Sequence, residues 1–161
     1  MQDFVHLHVH TQYSLLDGQA SVARLVDKAM KNGMKGIAVT DHGNMFGIKE
    51  FTNYVNKKNS GPKGEIKDLK KRIAGIEAGT VECEDKEAEV AACKAKIVEA
   101  ENKLFKPIIG CEMYVARRTM DLKEGKPDQS GYHLIVLAKN EKGYHNPVSY
   151  THLRAHETLS D

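Results

Sequence analysis

The opening of the chain carries histidines at alternate positions, His6, His8 and His10, with an apolar residue between each pair. A repeat of two is typical of a β-strand, in which alternate side chains share one face. Same-face neighbours lie about 6.6 Å apart, so His8 and His10 can reach one metal ion or two adjacent ions. His6 and His10, about 13 Å apart, cannot share an ion. The pattern predicts a strand over residues 4–10 with His8 and His10 as the ligand pair.

Further acidic and histidine residues follow the ends of predicted strands. Asp17 lies in a turn beyond the first strand, although Asp-Gly is by itself a common turn dipeptide. Asp41 and His42 directly follow the second strand. Because catalytic groups of α/β barrels gather where strands end, we expect these residues to face one site. The Asp41 carboxylate is expected to hold an imidazole that binds metal.

Two more candidate ligands lie within apolar runs. Glu112 falls inside the run 108–115, where an unpaired carboxylate is costly to bury, so it requires a cation. His133 begins another apolar run, and an exposed histidine at a strand end is an equal alternative there. Mixed oxygen and nitrogen ligands suit Zn, Mn or Fe. Clustered metals lower the pKa of a bridging water, which makes phosphoester hydrolysis the natural reaction class.

Alternating strands and helices must position these residues. Ser21 is expected to cap a helix that runs through Met30 and stops at Asn32-Gly33. The other predicted elements of this pattern are a strand over 36–40, a helix over 47–57, and strands over 107–115 and 133–138. A polar loop, 117–131, separates the last two strands. This order predicts an α/β fold built from repeated β/α units.

Residues 58–105 have a different composition, with charges of both signs and apolar residues at steps of three and four. This spacing predicts two helices that fold back on each other across a turn near residues 78–83. The segment is therefore interpreted as an inserted antiparallel helical hairpin. Mixed-charge helical faces usually favour a solvated hairpin with no chemistry, and an arm that docks a partner is the alternative.

Composition limits the remaining classes of function. Of the 161 residues 40% are hydrophobic, and no apolar run approaches the ~20 residues that span a bilayer. With no secretory signal at the start, the expected location is the cytoplasm, and no membrane partner is expected. The three cysteines form no recognisable pair, which predicts unconnected thiols. A net charge of +2 does not by itself argue for nucleic acid.

The last residues of the chain, 147–161, do not continue the pattern of the preceding sequence. From Val148 the sequence resembles one reading frame of a common transposase-based sequencing adaptor translated as though it were coding. Residues 147–161 are therefore expected to be a non-native tail. His152 and His156 are left out of the ligand set on this ground, although their spacing of four would suit a metal site on a helix.

Three motifs identify a family. Leu7-His8-Val9-His10-Thr11, Thr40-Asp41-His42-Gly43 and Gly110-Cys111-Glu112 occur in this order and resemble the PHP (polymerase and histidinol phosphatase) superfamily. More narrowly, the runs 13–18, 106–115 and 133–140 resemble the amino-terminal domains of bacterial replicative DNA polymerase alpha subunits. The resemblance covers nearly all of residues 1–146. It implies that these residues form the first part of a distorted TIM-like β/α barrel, incomplete here, with the hairpin 58–105 inserted.

The resemblance also implies a site and its partners. It places metal ligands at His8, His10, Asp17, His42, Glu112 and His133, for two or three divalent ions, with further ligands beyond Asn146. The implied activity of this region is metal-dependent phosphoester hydrolysis, in the form of a proofreading 3′–5′ exonuclease. The implied parent is a DNA-directed DNA polymerase, a nucleotidyltransferase with Mg at a polymerase site farther along the chain. Its expected partners are DNA, a sliding clamp, a proofreading subunit and a clamp loader.

Two other readings of the same motifs stay open. One is a free-standing PHP-family phosphatase, similar to histidinol phosphatase, that acts on a small phosphate ester. The other is a non-catalytic domain that binds metal as a scaffold. Whatever its function, we expect the isolated chain to fold marginally and to aggregate, because four strands of an unfinished barrel leave an open edge and an uncovered apolar face.

Overall fold

The computed structural model describes residues 4–119, 121, 124–125 and 131–157, with residues 150–157 described by their backbone alone. This part of the chain contains five helices and three strands. In chain order they are α1 (Val22–Lys31), β1 (Gly36–Val39), α2 (Ile48–Lys58), α3 (Ser60–Glu77), α4 (Lys86–Asn102), β2 (Lys106–Val115), β3 (Tyr132–Leu137) and α5 (Glu141–Glu157). The mixed α/β class predicted from the sequence is confirmed.

The sheet has the order β1-β2-β3. His42, just beyond β1, forms a parallel bridge with Glu112 of β2. β3 runs antiparallel to β2, with His133 opposite Tyr114 and Ile135 opposite Glu112. A parallel return would need a crossover, usually a helix, and the described residues between β2 and β3 contain none. The sheet is therefore mixed, whereas neighbouring strands of a regular β/α barrel are parallel.

The first predicted strand is extended but irregular. The Ala38 amide donates to the His6 carbonyl at 2.9 Å, and the Thr40 amide donates to the Val9 carbonyl at 2.9 Å. A step of two residues from Ala38 to Thr40 is thus matched by a step of three residues from His6 to Val9. One extra residue on one side is the pattern of a β-bulge, which interrupts the ladder of hydrogen bonds. Leu7 is consequently 49% exposed rather than packed on an apolar face. The prediction of a regular strand over residues 4–10 was wrong for this reason.

Helix α1 packs on β1. Ser21 occupies the position before the helix, with extended backbone, but its side chain makes no capping hydrogen bond. The predicted stop is confirmed, because Asn32 caps the helix and Gly33 adopts φ +75°. The residues of this layer that are fully or almost fully buried are Val22, Val26, Ala29, Ile37, Ala38 and Val39. Burial of these side chains fixes β1, and with it the position of His42.

Residues Val55–Lys106 form a compact unit distinct from Met1–Tyr54 and Pro107–Asp161. Within it α3 and α4 pack together and are bridged by an ion pair of 2.7 Å between Arg72 and Glu89. The buried Asn59 amide joins the ends of the segment: its Nδ2 donates to the Phe105 carbonyl at 2.8 Å, and the Phe105 amide donates to its Oδ1 at 2.9 Å. Asn59 therefore closes the base of the hairpin.

Other expectations concern the thiols and the end of the chain. All three cysteines are free, as predicted. Within the described residues, no helix combines the length and apolar character needed to cross a membrane. Helix α5 extends into residues 147–157, which belong to the segment predicted to be a non-native tail, and Pro147 lies inside this helix. The side chains of His152 and His156 lie outside the described residues.

Candidate metal centre

Glu112 lies at the centre of the cluster, and its carboxylate faces histidines on both sides. Its Oε2 lies 2.8 Å from His8 Nε2 and 2.7 Å from His10 Nε2. Its Oε1 lies 2.7 Å from His133 Nδ1. The two Nε2 atoms of His8 and His10 are themselves 2.9 Å apart. Glu112 is only 5% exposed, so a buried carboxylate contacts three imidazoles, two of which, His8 and His133, are about half exposed.

Two overlapping groups of possible ligand atoms result from this arrangement. His8, His10 and Glu112 form one group, and His42, Glu112 and His133 form the other, with the ligand atoms of each group within 4.8 Å of one another. Glu112 is common to both. A carboxylate shared in this way matches the bridging ligand of a site that holds two adjacent ions.

His42 provides a test of whether a cation fits. Its Nε2 is buried and makes no hydrogen bond, although buried polar atoms are nearly always paired. Its Nδ1 lies 2.9 Å from Asp17 Oδ2, so the opposite ring nitrogen is already occupied. An imidazole that is held at one nitrogen and presents the other to a histidine and carboxylate cluster has the arrangement usual for a metal-binding histidine. The donor set therefore fits a divalent cation.

Asp17 lies beside the two groups rather than within them. Besides its contact with His42, its Oδ2 is 3.9 Å from His10 Nδ1. The hydrogen bond with His42 holds the pKa of the Asp17 carboxyl below its usual value. All six predicted ligands are thus brought together by the fold, and Asp17 contacts the histidines from the outer side of the cluster.

The charge state of Glu112 depends on opposing effects. Burial raises the pKa of its carboxyl, but the hydrogen bond with His8 and the charges of His42 and His10 together outweigh burial. The pKa of Glu112 consequently lies below its ordinary value. An ionised carboxylate is the form that bridges metal ions, so this environment suits the predicted ligand role.

Asp41 has a different role from the one expected. Its carboxylate accepts hydrogen bonds from the Thr11 amide at 2.6 Å and from the Thr11 hydroxyl at 2.8 Å, and holds no imidazole among the described residues. Successive side chains of an extended segment point to opposite sides, so Asp41 points away from the side that His42 faces. Its burial raises the pKa of the carboxyl, against the effect of the Thr11 hydrogen bonds. The expected contact with a histidine was wrong, and Asp41 instead fixes the chain just after His10.

Close packing around this carboxylate also explains one glycine. A Cβ at Gly47 would lie 3.0 Å from Asp41 Oδ2 and 2.8 Å from a ring carbon of Tyr13. Any larger residue there would displace the Asp41–Thr11 contact or the Tyr13 ring. The start of α2 is therefore fitted against the network that supports His10.

Two site residues were missed from the sequence, Ser14 and Tyr114. The Ser14 hydroxyl lies 2.7 Å from His10 Nδ1 and accepts from the His42 amide at 3.0 Å. The Tyr114 ring stacks on His42 with centroids 4.5 Å apart and meets the His133 ring edge-on at 5.0 Å. Tyr114 follows Glu112 by two positions on a strand, and that spacing could have placed it on the ligand face. Ser14 lies in a turn, where no periodicity gives the direction of a side chain.

An open cleft of about 470 Å³ adjoins the cluster. Asp17, His42 and Tyr114 line it together with the exposed apolar side chains of Leu16 and Phe46. Leu16 has a positive φ of 72°, an uncommon conformation for a branched side chain, and is fully exposed at the cleft. The cleft gives a solvent-borne molecule access to the side of the cluster that His42 occupies.

Comparison with known proteins gives the family of this site. The sequence profile of the PHP domain matches residues 6–98 and 90–160. The chain belongs to the PHP domain family. The family resemblance predicted from the three motifs is confirmed, and metal dependence is a general property of this fold.

Relatives narrow the resemblance further. The chain is 39% identical over 151 residues to DNA polymerase III subunit alpha of Borreliella burgdorferi, covering 92% of this chain and 9% of that protein. It is 39% identical to the subunit of Treponema pallidum over 144 residues and 32% identical to that of Aquifex aeolicus over 151 residues. The alignment with the Treponema pallidum subunit covers 89% of this chain and 8% of that protein, and the alignment with the Aquifex aeolicus subunit covers 90% and 9%. The chain thus spans less than a tenth of the length of these relatives.

Proposed function

We propose that this chain is the amino-terminal PHP region of a replicative DNA polymerase alpha subunit, whose full-length form extends DNA primers. The similarity to DNA polymerase III alpha subunits over about nine tenths of the chain supports this assignment. The sliding clamp, proofreading subunit and clamp loader belong to the same proposal as partners of the full-length protein, as do its cytoplasmic location and Mg at its polymerase site. A barrel completed by later strands is likewise proposed.

Within that protein, the proposed role of this region is hydrolysis of a phosphoester, with a 3′–5′ exonuclease as the specific form. The observation that carries the proposal is the Glu112 carboxylate, whose two oxygens face separate histidine groups. His8 and His10 would hold one divalent ion, His42 and His133 a second, and Glu112 both. A third ion belongs to the same proposal, with ligands contributed from beyond Asn146. Bound Zn, Mn or Fe would polarise a phosphate oxygen and supply a water of lowered pKa.

The residues of this chain contribute position and charge to that chemistry. Glu112 brings a buried negative charge that keeps two cation positions close, and Asp17 fixes the His42 ring through its Nδ1. Tyr114 stacks on the face of His42 and meets His133 edge-on, and these contacts restrict the rotation of both rings. The adjoining cleft offers a path by which the end of a DNA strand could reach the cluster.

The test uses the full-length parent polypeptide with and without His10→Ala. Metal content is measured after removal of loosely bound ions, and nuclease activity is measured on a 3′-labelled single strand with added Mn²⁺ or Zn²⁺. We expect the wild-type protein to retain metal and degrade the strand, and the variant to lose both while it keeps primer extension.

Different results would favour the other readings. Retained metal without any nuclease activity, together with a loss of polymerase stability in His10→Ala, would favour a metal-binding scaffold. A phosphatase of small esters is favoured only if the parent reading frame ends shortly after one barrel. The similarity to polymerase subunits many times longer than this chain argues against that reading.

A further inference from the structure

The Ser14 hydroxyl lies between three site residues. It accepts a hydrogen bond from the His42 amide at 3.0 Å and lies 2.7 Å from His10 Nδ1 and 3.5 Å from Asp17 Oδ2. Ser14 is fully buried, and its own amide donates to the Thr11 carbonyl at 2.9 Å. The hydroxyl thus has no contact with bulk solvent, and the backbone that carries it is held in place.

The bonding capacity of a hydroxyl restricts the protons around Ser14. A hydroxyl has one proton to donate and two lone pairs that accept. The His42 amide, which can only donate, occupies one lone pair. An ionised Asp17 carboxylate can only accept. When the hydroxyl proton points to Asp17, the remaining lone pair of Ser14 accepts from a proton on His10 Nδ1, and His10 Nε2 then carries a free lone pair.

The opposite orientation of the Ser14 hydroxyl is compatible with the other tautomer of His10. If Ser14 donates to His10 Nδ1, the His10 proton lies on Nε2, where it can bond the Glu112 oxygen at 2.7 Å. One rotation of the hydroxyl, with no movement of heavy atoms, exchanges the two arrangements, and only the first gives the Ser14 proton to the Asp17 carboxylate. Only the first tautomer can bind a metal through Nε2.

We infer that Ser14 is a positioning residue that selects the metal-binding tautomer of His10, through the chain His10 Nδ1–H to Ser14 Oγ–H to Asp17. This inference rests on the proposed metal binding of the site. Metal-bound histidines usually donate their other ring N–H, and loss of that partner typically lowers metal affinity by about 10–100-fold. Without the Ser14 hydroxyl, both the His10 ring N–H and the His42 amide would lose this hydrogen-bond partner.

The experiment compares Ser14→Ala with Ser60→Ala in the full-length parent polypeptide. Ser60 is exposed on the hairpin, and its hydroxyl donates to the Lys57 carbonyl at 2.8 Å, far in sequence from any predicted ligand. Zn²⁺ affinity is measured by competition with a chelator, and the melting temperature is measured without metal. We expect Ser14→Ala to lower Zn²⁺ affinity by about 10–100-fold and Ser60→Ala to leave it within about twofold.

A purely structural role would give a different pattern. It would lower the melting temperature of metal-free Ser14→Ala without changing the Zn²⁺ affinity of the folded protein, and that outcome overturns the inference. Absence of Zn²⁺ binding by the wild-type protein would overturn the proposed function and the inference together. Zn²⁺ bound equally well by wild type and by folded Ser14→Ala overturns the inference alone.

A second measurement needs no variant and covers the case in which Ser14→Ala fails to fold. In an experimental structure of the Zn²⁺-loaded wild-type protein, we expect the metal on His10 Nε2 and Ser14 Oγ within about 3.2 Å of His10 Nδ1. Zn²⁺ on His10 Nδ1, or a Ser14 hydroxyl turned away from the ring, would refute the tautomer role.

Discussion

The site and the hairpin achieve order by different physical means. The candidate ligands come from positions 8 to 133, lie within one compact unit, and meet through polar contacts to Glu112 or, for Asp17, to His42 and His10. The hairpin is one continuous segment in which two neighbouring helices pack together, with an ion pair on its surface. A single substitution can therefore remove the site, whereas the hairpin should respond to substitutions in small steps. The candidate ligands thus meet through long-range polar contacts, whereas the hairpin depends on local packing between neighbouring helices.

The largest effect is expected from Glu112→Gln, which keeps the shape of the side chain and removes the charge that both ligand groups share. We expect Zn²⁺ affinity of the full-length parent to fall by at least about a hundredfold, more than is typical for partners outside the ligand set. Glu89→Gln in the hairpin is the matched control, since it breaks the ion pair with Arg72 and should leave affinity unchanged. Equal metal content in the two variants would remove Glu112 from the ligand set.

An intermediate effect is expected within the hairpin unit at Asn59. Asn59→Ala leaves the buried amide and carbonyl of Phe105 without partners, which costs about 1–3 kcal/mol. Amide hydrogen exchange at Phe105 should accelerate by roughly tenfold to a hundredfold. Asn56→Ala, which removes only an exposed contact to Lys63, is the control and should leave that exchange rate nearly unchanged. Similar exchange in both variants would show that the base of the hairpin is closed by other contacts.

The smallest effect on Zn²⁺ affinity is expected from removal of the hairpin. Replacing residues 60–102 of the full-length parent with a short glycine-serine linker, while keeping Asn59 and Phe105, should leave Zn²⁺ affinity within about twofold, because none of the six predicted ligands lies in the hairpin. Chelator competition checks this expectation. A loss of metal affinity comparable to that of Glu112→Gln would mean that the site depends on the hairpin.

Residue patterns predicted the parts of this molecule that follow a period or a strand end. The alternation of histidines, the position of His42 after β1 and the acid within β2 predicted four of the six candidate ligands, and the family resemblance added support for Asp17 and His133. The sequence did not reveal the bulge beside β1, since one extra residue in a ladder changes no composition. It also did not reveal the roles of Asp41 and Ser14, which depend on the direction of a side chain at a turn or a strand end.

The antiparallel return of β3 was missed for a related reason. Apolar runs indicate strands but not their direction, and only the length and structure of the connection decide it. The pairing of His133 with Tyr114 across the strands follows from that direction. This register brings His133 to Glu112, so a parallel β3 would not have placed the same residues together.

The amide closure at Asn59 has a practical consequence for protein engineering. Because two hydrogen bonds join the chain on entering and leaving the segment, its length between these points is free to vary at little entropic cost. The exposed turn at Gly79, with φ +74°, lies at the far end of the two helices from this closure. This turn is therefore a suitable insertion site for an affinity tag or a fluorescent reporter, because an insertion there changes none of the predicted metal ligands.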